Sequence, residues 1–185
     1  MDVVDSTRRI LLVSGSLREG STNSAVLRTA LRVVPDAVDA TLYTGLAALP
    51  AFNPDLDHDP LPAAVADLRN EIRAADGVLL STPEYAGGLP GAFKNLLDWT
   101  VGDDQPGSMY EKPVAWLNVA ARGAPNAHES LRKVLGYVHA TIVESACLAV
   151  PVTSAMVDAD GLVTDETVIQ QLVDALGKLA GACAS

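Results

Sequence analysis

A chain of 185 residues with 49% hydrophobic content and a mean hydropathy of +0.21 is long enough for one domain, residues 1–185, that buries about 70% of the surface its unfolded form exposes. Its net charge of −10 opposes nucleic-acid backbones and anionic membranes, no apolar run approaches the roughly 20 residues that span a bilayer, and the opening residues are too polar for a signal peptide. Cys147 and Cys183 stand too far apart in sequence to suggest a disulfide framework or a zinc site, so a reducing cytoplasm is the expected setting.

The first predicted strand, Arg9–Ser14, runs straight into a loop of hydroxyls, glycines and one arginine (Gly15–Asn23) and then into a helix. That order gathers backbone N–H groups, Ser16, Arg18, Ser21 and Asn23 around a helix N-terminus. An oxyanion there meets the positive end of the helix dipole and a guanidinium together, which predicts a phosphate pocket at the carboxyl end of strand one. The helix shows its apolar stripe at Leu27, Ala30, Leu31 and Val34 and stops at Pro35.

Val38–Tyr43 reads as strand two, followed by a helix with Val65, Leu68, Ile72 and Ala75 on one face. Gly77–Thr82 is strand three. The loop after it, Ser81–Gly91, holds two prolines and three glycines, which fix a backbone and let a flat ligand approach it closely. A helix from about Gly91 turns Phe93, Leu96 and Leu97 inward. Pro113–Val119 is strand four, and the small-residue loop Ala120–Asn126 leads to a helix with Leu131, Val134, Leu135 and Val138 inward, for which Asn126 and Glu129 are placed as N-cap and N3 partner. Thr141–Val150 is strand five. A last helix runs from about Thr164, carrying Leu172, Leu176, Leu179 and Cys183 on one face.

Strands alternating with helices imply a parallel sheet covered on both sides by right-handed crossovers, a doubly wound α/β sandwich whose ligands sit past the carboxyl ends of the strands. Several chemistries of such sheets are absent here. The first loop, SGSLREGS, is neither G-x-G-x-x-G nor a Gly-Lys-Ser/Thr phosphate loop. It lacks the cysteine of a thiol phosphatase, and Ser14 and Thr82 stand where a phosphorylation receiver needs acids. A loop that binds a phosphate without cutting it remains.

Taken together, GSLREGSTN, LPAFNPDLD (Leu49–Asp57) and PEYAGGLPGAFKNLLDW (Pro83–Trp99) resemble the motifs of the NAD(P)H-dependent FMN reductase family, flavodoxin-like flavoproteins that include quinone and chromate reductases. The resemblance covers roughly residues 9 to 150. It implies a three-layer flavodoxin-like sandwich with a five-stranded parallel sheet in the order 2-1-3-4-5. By the same resemblance, Ser16, Arg18 and Asn23, with Ser21 and Ser24, hold the FMN phosphate. Pro83, Glu84, Tyr85, Ala86 and Gly87 line the isoalloxazine, largely through backbone. Ala121, Arg122 and Gly123 of the third loop complete the cofactor site, with backbone N–H groups at Arg122 or Gly123 expected to stabilise negative charge on the reduced ring. The family usually has Asn where this chain has Ala86, and a serine and a Gly-Gly pair in the third loop, where Ala121, Pro125 and Asn126 stand.

No side chain of the protein is then expected to act as catalytic acid, base or nucleophile, and no metal is implied. Hydride passes from NADPH or NADH through FMN to free flavin, a quinone or a similar small acceptor, because the reactive chemistry belongs to the cofactor. The competing readings are a flavodoxin-like electron carrier and a flavin-binding sensor with reduced catalysis. Tyr85 is the one aromatic in the three loops, which argues for an open flavin face and so for an enzyme. A homodimer, or a tetramer, follows from the family, with the Gly102–Lys112 loop as the segment expected to complete a neighbour's site and Trp99 either a subunit contact or internal packing. Trp116 is expected in the core. His58, His128 and His139 lack ligand spacing; Asp103, Asp104, Asp158 and Asp160 read as solvated loop acids. Asp55, Asp57 and Asp59 lack the Gly and closing Glu of a calcium loop.

Overall fold

The computed structural model describes residues 7–184, so most of the opening segment considered for a signal peptide lies outside the described residues. In chain order the elements are β1 (Arg8–Ser14), α1 (Thr22–Arg32), β2 (Val38–Tyr43), α2 (Ala63–Ala74), β3 (Gly77–Ser81), α3 (Gly91–Val101), β4 (Pro113–Asn118), α4 (Pro125–Tyr137), β5 (Thr141–Ile142), β6 (Leu148–Ala149) and α5 (Glu166–Ala182). The strands pair in parallel in the order β2-β1-β3-β4-β5, with β6 also on β4. This is the flavodoxin-like arrangement expected from the sequence.

The continuous apolar runs have a direct cause. Successive side chains of a strand point to opposite faces, and here both faces are roofed by helices. Ile10, Leu12, Leu79, Ala115 and Leu117 pack with Ala25, Val26, Leu172, Leu176 and Leu179 of α1 and α5. Their neighbours Leu11, Val13, Val78, Leu80, Val114 and Trp116 pack on the other side with Leu68, Ile72, Phe93, Leu97, Leu131 and Leu135 of α2, α3 and α4. Because the chain winds from β1 outward to β2 and then back across to β3, the loops after β1 and β3 open side by side, with Ser14 and Ser81 in register.

Several expectations need correction. Thr141–Val150 is not one strand. Thr141 and Ile142 pair with Pro113 and Val114, the backbone leaves the sheet in a 3-10 turn at Glu144–Ala146, and Leu148 and Ala149 return to pair with Leu117 and Asn118. Asn126 is not the N-cap of α4: the helix starts at Pro125, which suits a first position with no N–H to satisfy, and Glu129 instead pairs with Lys133 at 2.6 Å. Asp103 is not solvated but buried, with both oxygens on Arg73.

Trp99 is fully buried within the chain, which is the internal-packing alternative. Its Nε1 donates to the Pro50 carbonyl at 2.9 Å, and Phe52 packs edge-on at 4.9 Å. The Leu49–Asp57 motif thereby gains a structural reason. Asn95 of α3 donates to the Pro50 carbonyl and accepts from Phe52 N–H, and Asp57 pairs with the buried Arg69 at 2.6 Å. The last helix is capped by Asp165, whose Oδ1 accepts from Thr167 and Val168.

Candidate functional site

β1 delivers the first loop to the carboxyl edge of the sheet, and Gly15 lets it cross the end of β3. A Cβ there would lie 2.6 Å from Thr82 Oγ1 and 2.8 Å from Phe93. Beyond it, Ser16 is buried; its Oγ accepts from Arg18 N–H at 3.3 Å and sits 3.5 Å from the Tyr85 hydroxyl. The first and second loops are thus in contact. α1 begins at Thr22 with Ser21 extended before it, no side chain capping it and no acid in its first turn. The first internal bond is Ala25 N–H to the Ser21 carbonyl, which leaves the N–H groups of Thr22, Asn23 and Ser24 at the positive end of the helix.

Asn23 is held from below. The Ser81 hydroxyl at the end of β3 donates to its Oδ1 at 2.9 Å, so its NH₂ is turned away from that contact. Ser24, also expected on the phosphate, shares a 2.9 Å hydrogen bond with Ser14 Oγ that braces the loop. Ser14 and Ser81 are supports that the sequence reading missed. The signal was present, since each is a hydroxyl ending an apolar strand at the same register.

The second loop forms a tight hairpin in which Tyr85 and Gly88 exchange backbone hydrogen bonds at 3.0 and 3.1 Å. Both central residues, Ala86 and Gly87, have positive φ (50° and 75°). This turn type favours Asn or Gly at its first central position, so Ala86 is strained there as well as lacking the family's side-chain amide. In the third loop Gly123 and Ala124 are left-handed. Gly123 N–H is engaged with the Ala120 carbonyl at 2.9 Å, which removes it from the donors expected for the ring. Ala121 and Arg122 N–H have no acceptor among the described residues.

These segments surround one hollow of about 550 Å³ lined by Arg18, Ser21, Thr22, Asn23, Pro83, Glu84, Tyr85, Ala120, Ala121, Arg122, Ala124 and Pro125. Of the expected site residues, Ser16, Ser24, Ala86, Gly87 and Gly123 are not part of that lining. Thr22, Ala120, Ala124 and Pro125 join it unpredicted. Neither Arg18 nor Arg122 makes an ion pair among the described residues, so two open guanidiniums face the hollow of an acidic protein. A larger groove of about 1040 Å³ lies along Gly107–Glu111 and Gly136–His139. These segments lead into the amino ends of β4 and β5, away from the candidate site at the loops after β1 and β3. That position also removes the Gly102–Lys112 loop from the site of its own chain.

The cysteines stand outside the lining of the hollow. Burial pushes both thiols above their usual pKa. An uncapped helix start, an unpaired arginine, an oriented amide and a rigid backbone wall suit a phosphate joined to a flat ring. That is a fit to FMN.

Comparison with known proteins agrees. The family model described as NADPH-dependent FMN reductase matches residues 8–155. The chain is 34% identical over 174 residues to an NAD(P)H-dependent FMN reductase of Pseudomonas aeruginosa, covering 91% of this chain and 92% of that one. It is 32% identical over 139 residues to a quinone reductase of Escherichia coli, 73% of each chain. Among solved structures, FerB, a flavoenzyme NAD(P)H:(acceptor) oxidoreductase from Paracoccus denitrificans, superposes with a TM-score of 0.80 at 27% identity, covering 96% of this chain and 97% of that one. No helix among the described residues is long and apolar enough to cross a membrane. On its match to the family model and on these relatives, the chain belongs to the NADPH-dependent FMN reductase family, oxidoreductases of flavodoxin-like fold that use FMN and a reduced pyridine nucleotide.

Proposed function

We propose that this chain, acting as one domain, binds FMN in the hollow between its first three carboxyl-edge loops and reduces free flavin, a quinone or a similar small acceptor at the expense of NADPH or NADH. The observation that carries this reading is the uncapped start of α1 with Arg18 and the oriented Asn23 amide beside it. Arg18, Asn23, Ser21, Ser16 and the free N–H groups of α1 would hold the phosphate. Pro83, Glu84, Tyr85, Ala86 and Gly87 would form one wall for the ring. The free N–H groups of Ala121 and Arg122 would face negative charge that develops on it. Bound FMN supplies the acceptance and donation of hydride; the protein's part is to bind, orient and limit access. Tyr85, 47% exposed at the mouth, leaves room for a flat acceptor.

The homodimer belongs to the same proposal. A groove of about 420 Å³ between α3 and α4 is lined by Phe52, Lys94, Asp98, Val101, Lys133 and Tyr137, with Val101 and Tyr137 44% and 74% exposed. Charges of both signs flank apolar groups, so the face is complementary to a two-fold copy of itself. Tyr137→Glu should then give monomers in sedimentation. The functional reading is tested by titrating purified protein with FMN and then, without oxygen, with NADPH or NADH. Saturable FMN binding followed by bleaching of the visible band is expected. FMN that binds but resists both nucleotides would mark a carrier.

A further inference from the structure

We propose that the Glu84 side chain is a positioning residue. It caps α4 from the neighbouring loop and so holds two walls of the flavin site in register. The inference rests on the FMN reading above and adds a role for the side chain where that reading uses mainly backbone.

α4 cannot cap itself. Its preceding residue, Ala124, is left-handed and has no side-chain oxygen; Pro125 has no N–H; and the first internal bond is His128 N–H to the Ala124 carbonyl at 3.3 Å. The orphan N–H of Ala127 is taken by Glu84 Oε2 at 3.0 Å, and Asn126 Nδ2 approaches Oε1 at 3.4 Å. A carboxylate therefore sits at the positive end of a helix that starts 41 positions further along the chain. Asn126 also lies over the hairpin, with its Nδ2 4.0 Å from where a Cβ on Gly87 would be.

Apart from the Ser16–Tyr85 contact with the first loop, each of the two is otherwise braced within its own strand-to-helix segment. The second closes through the Tyr85–Gly88 pair, and the third through Gly123 N–H to the Ala120 carbonyl and Asn118 Nδ2 to the Gly123 carbonyl. Glu84 ties one to the other. Because Glu84, Ala121 and Arg122 line the same hollow, this tie sets the spacing between them before any ligand arrives. Binding to walls held in place avoids the cost of ordering them.

The test uses Glu84→Ala and Glu84→Gln, read by amide exchange in the apoprotein and by FMN titration, with circular dichroism to establish folding. Glu84→Ala should speed exchange of the Ala127 amide at least tenfold and weaken FMN roughly 10- to 100-fold, the scale of a lost charge-assisted hydrogen bond. Glu84→Gln, which keeps an acceptor oxygen, should recover most of both. Unchanged Ala127 exchange in Glu84→Ala overturns the cap. Faster exchange with FMN affinity within twofold of the parent overturns the positioning role. Should Glu84→Ala not fold, Glu84→Gln decides alone: parental exchange with FMN affinity within about threefold of the parent upholds the tie, and parental exchange with weaker FMN overturns it. A parent protein that does not bind FMN would remove the functional reading instead, while the exchange result would still judge the cap.

Discussion

On the α2–α3 flank, Arg69 and Arg73 are paired within the chain. Arg69 gives Nε and Nη2 to the Trp99 carbonyl at 2.9 and 2.8 Å and Nη2 to Asp57, while Arg73 forks onto the buried Asp103. At the mouth of the hollow, Arg18 and Arg122 are exposed and make no ion pair among the described residues. The same side chain thus does two jobs. Where both partners come from within the chain, the guanidinium fixes one helix against another. Where the chain supplies none, it waits for an anion from outside. The contrast also explains why the site tolerates small, strained and polar residues: the flank, not the mouth, holds the layers together.

The largest effect that would break this comparison is on the flank. Arg69→Ala leaves Asp57 and the Trp99 carbonyl without their partner and should cost about 3–5 kcal/mol of stability, measured as a shift in urea midpoint. FMN affinity of the folded protein should stay within a few-fold. A loss below about 1 kcal/mol would show that the pair is only a surface ion pair. Next, Arg18→Ala should reverse the pattern. FMN should weaken roughly 10- to 150-fold, matching about 1.5–3 kcal/mol for a charge-assisted hydrogen bond, with the melting temperature of the apoprotein unmoved.

Smaller effects sharpen the picture. Ala86 sits at φ 50°, so Ala86→Asn or Ala86→Gly should raise stability by about 0.5–1 kcal/mol by relieving left-handed strain; equal stability would show the hairpin relaxes without them. Tyr43, also on the α2 side, is the flank's exception, with a buried hydroxyl that has no partner among the described residues. Burial first, then Asp67 and Glu71, push its pKa up from 10.0 to about 12. The folded chain therefore keeps a proton that the unfolded chain releases, so stability is intact below pH 10 and falls as pH rises toward 12. Tyr43→Phe should be within about 1 kcal/mol of the parent at neutral pH, and should gain relative to it above pH 10 in urea titrations. Parallel alkaline curves for the two proteins would contradict this.

What the sequence made legible follows from what is local. β1, β3 and β4 end within one residue of their predicted limits because three or four consecutive apolar residues bounded by turn signals specify a strand roofed on both faces. The first and second carboxyl-edge loops are legible as loops for the same reason, as each is one short segment. Partners distant in sequence were not readable. Asp103 looked solvated because Arg73 precedes it by 30 residues, and the cap of α4 was sought at Asn126 because Glu84 lies 43 residues before Ala127. Gly123 was expected to donate to a ligand, but its N–H closes a turn onto Ala120, which only the backbone path reveals. The fifth strand failed differently. Its apolar run is compatible with either a straight strand or a turn that buries Ala146, and hydrophobicity does not separate the two.

That interruption bears on how the molecule meets its neighbours in solution. An outer strand with a long row of unpaired N–H and C=O groups is a template on which other chains extend a sheet into fibrils. Here the outer margin beside β4 offers only the pairs Thr141–Ile142 and Leu148–Ala149, with a turn thrown out between them. A visiting strand would find no straight stretch long enough to zip onto, so the break guards that side against amyloid-like growth.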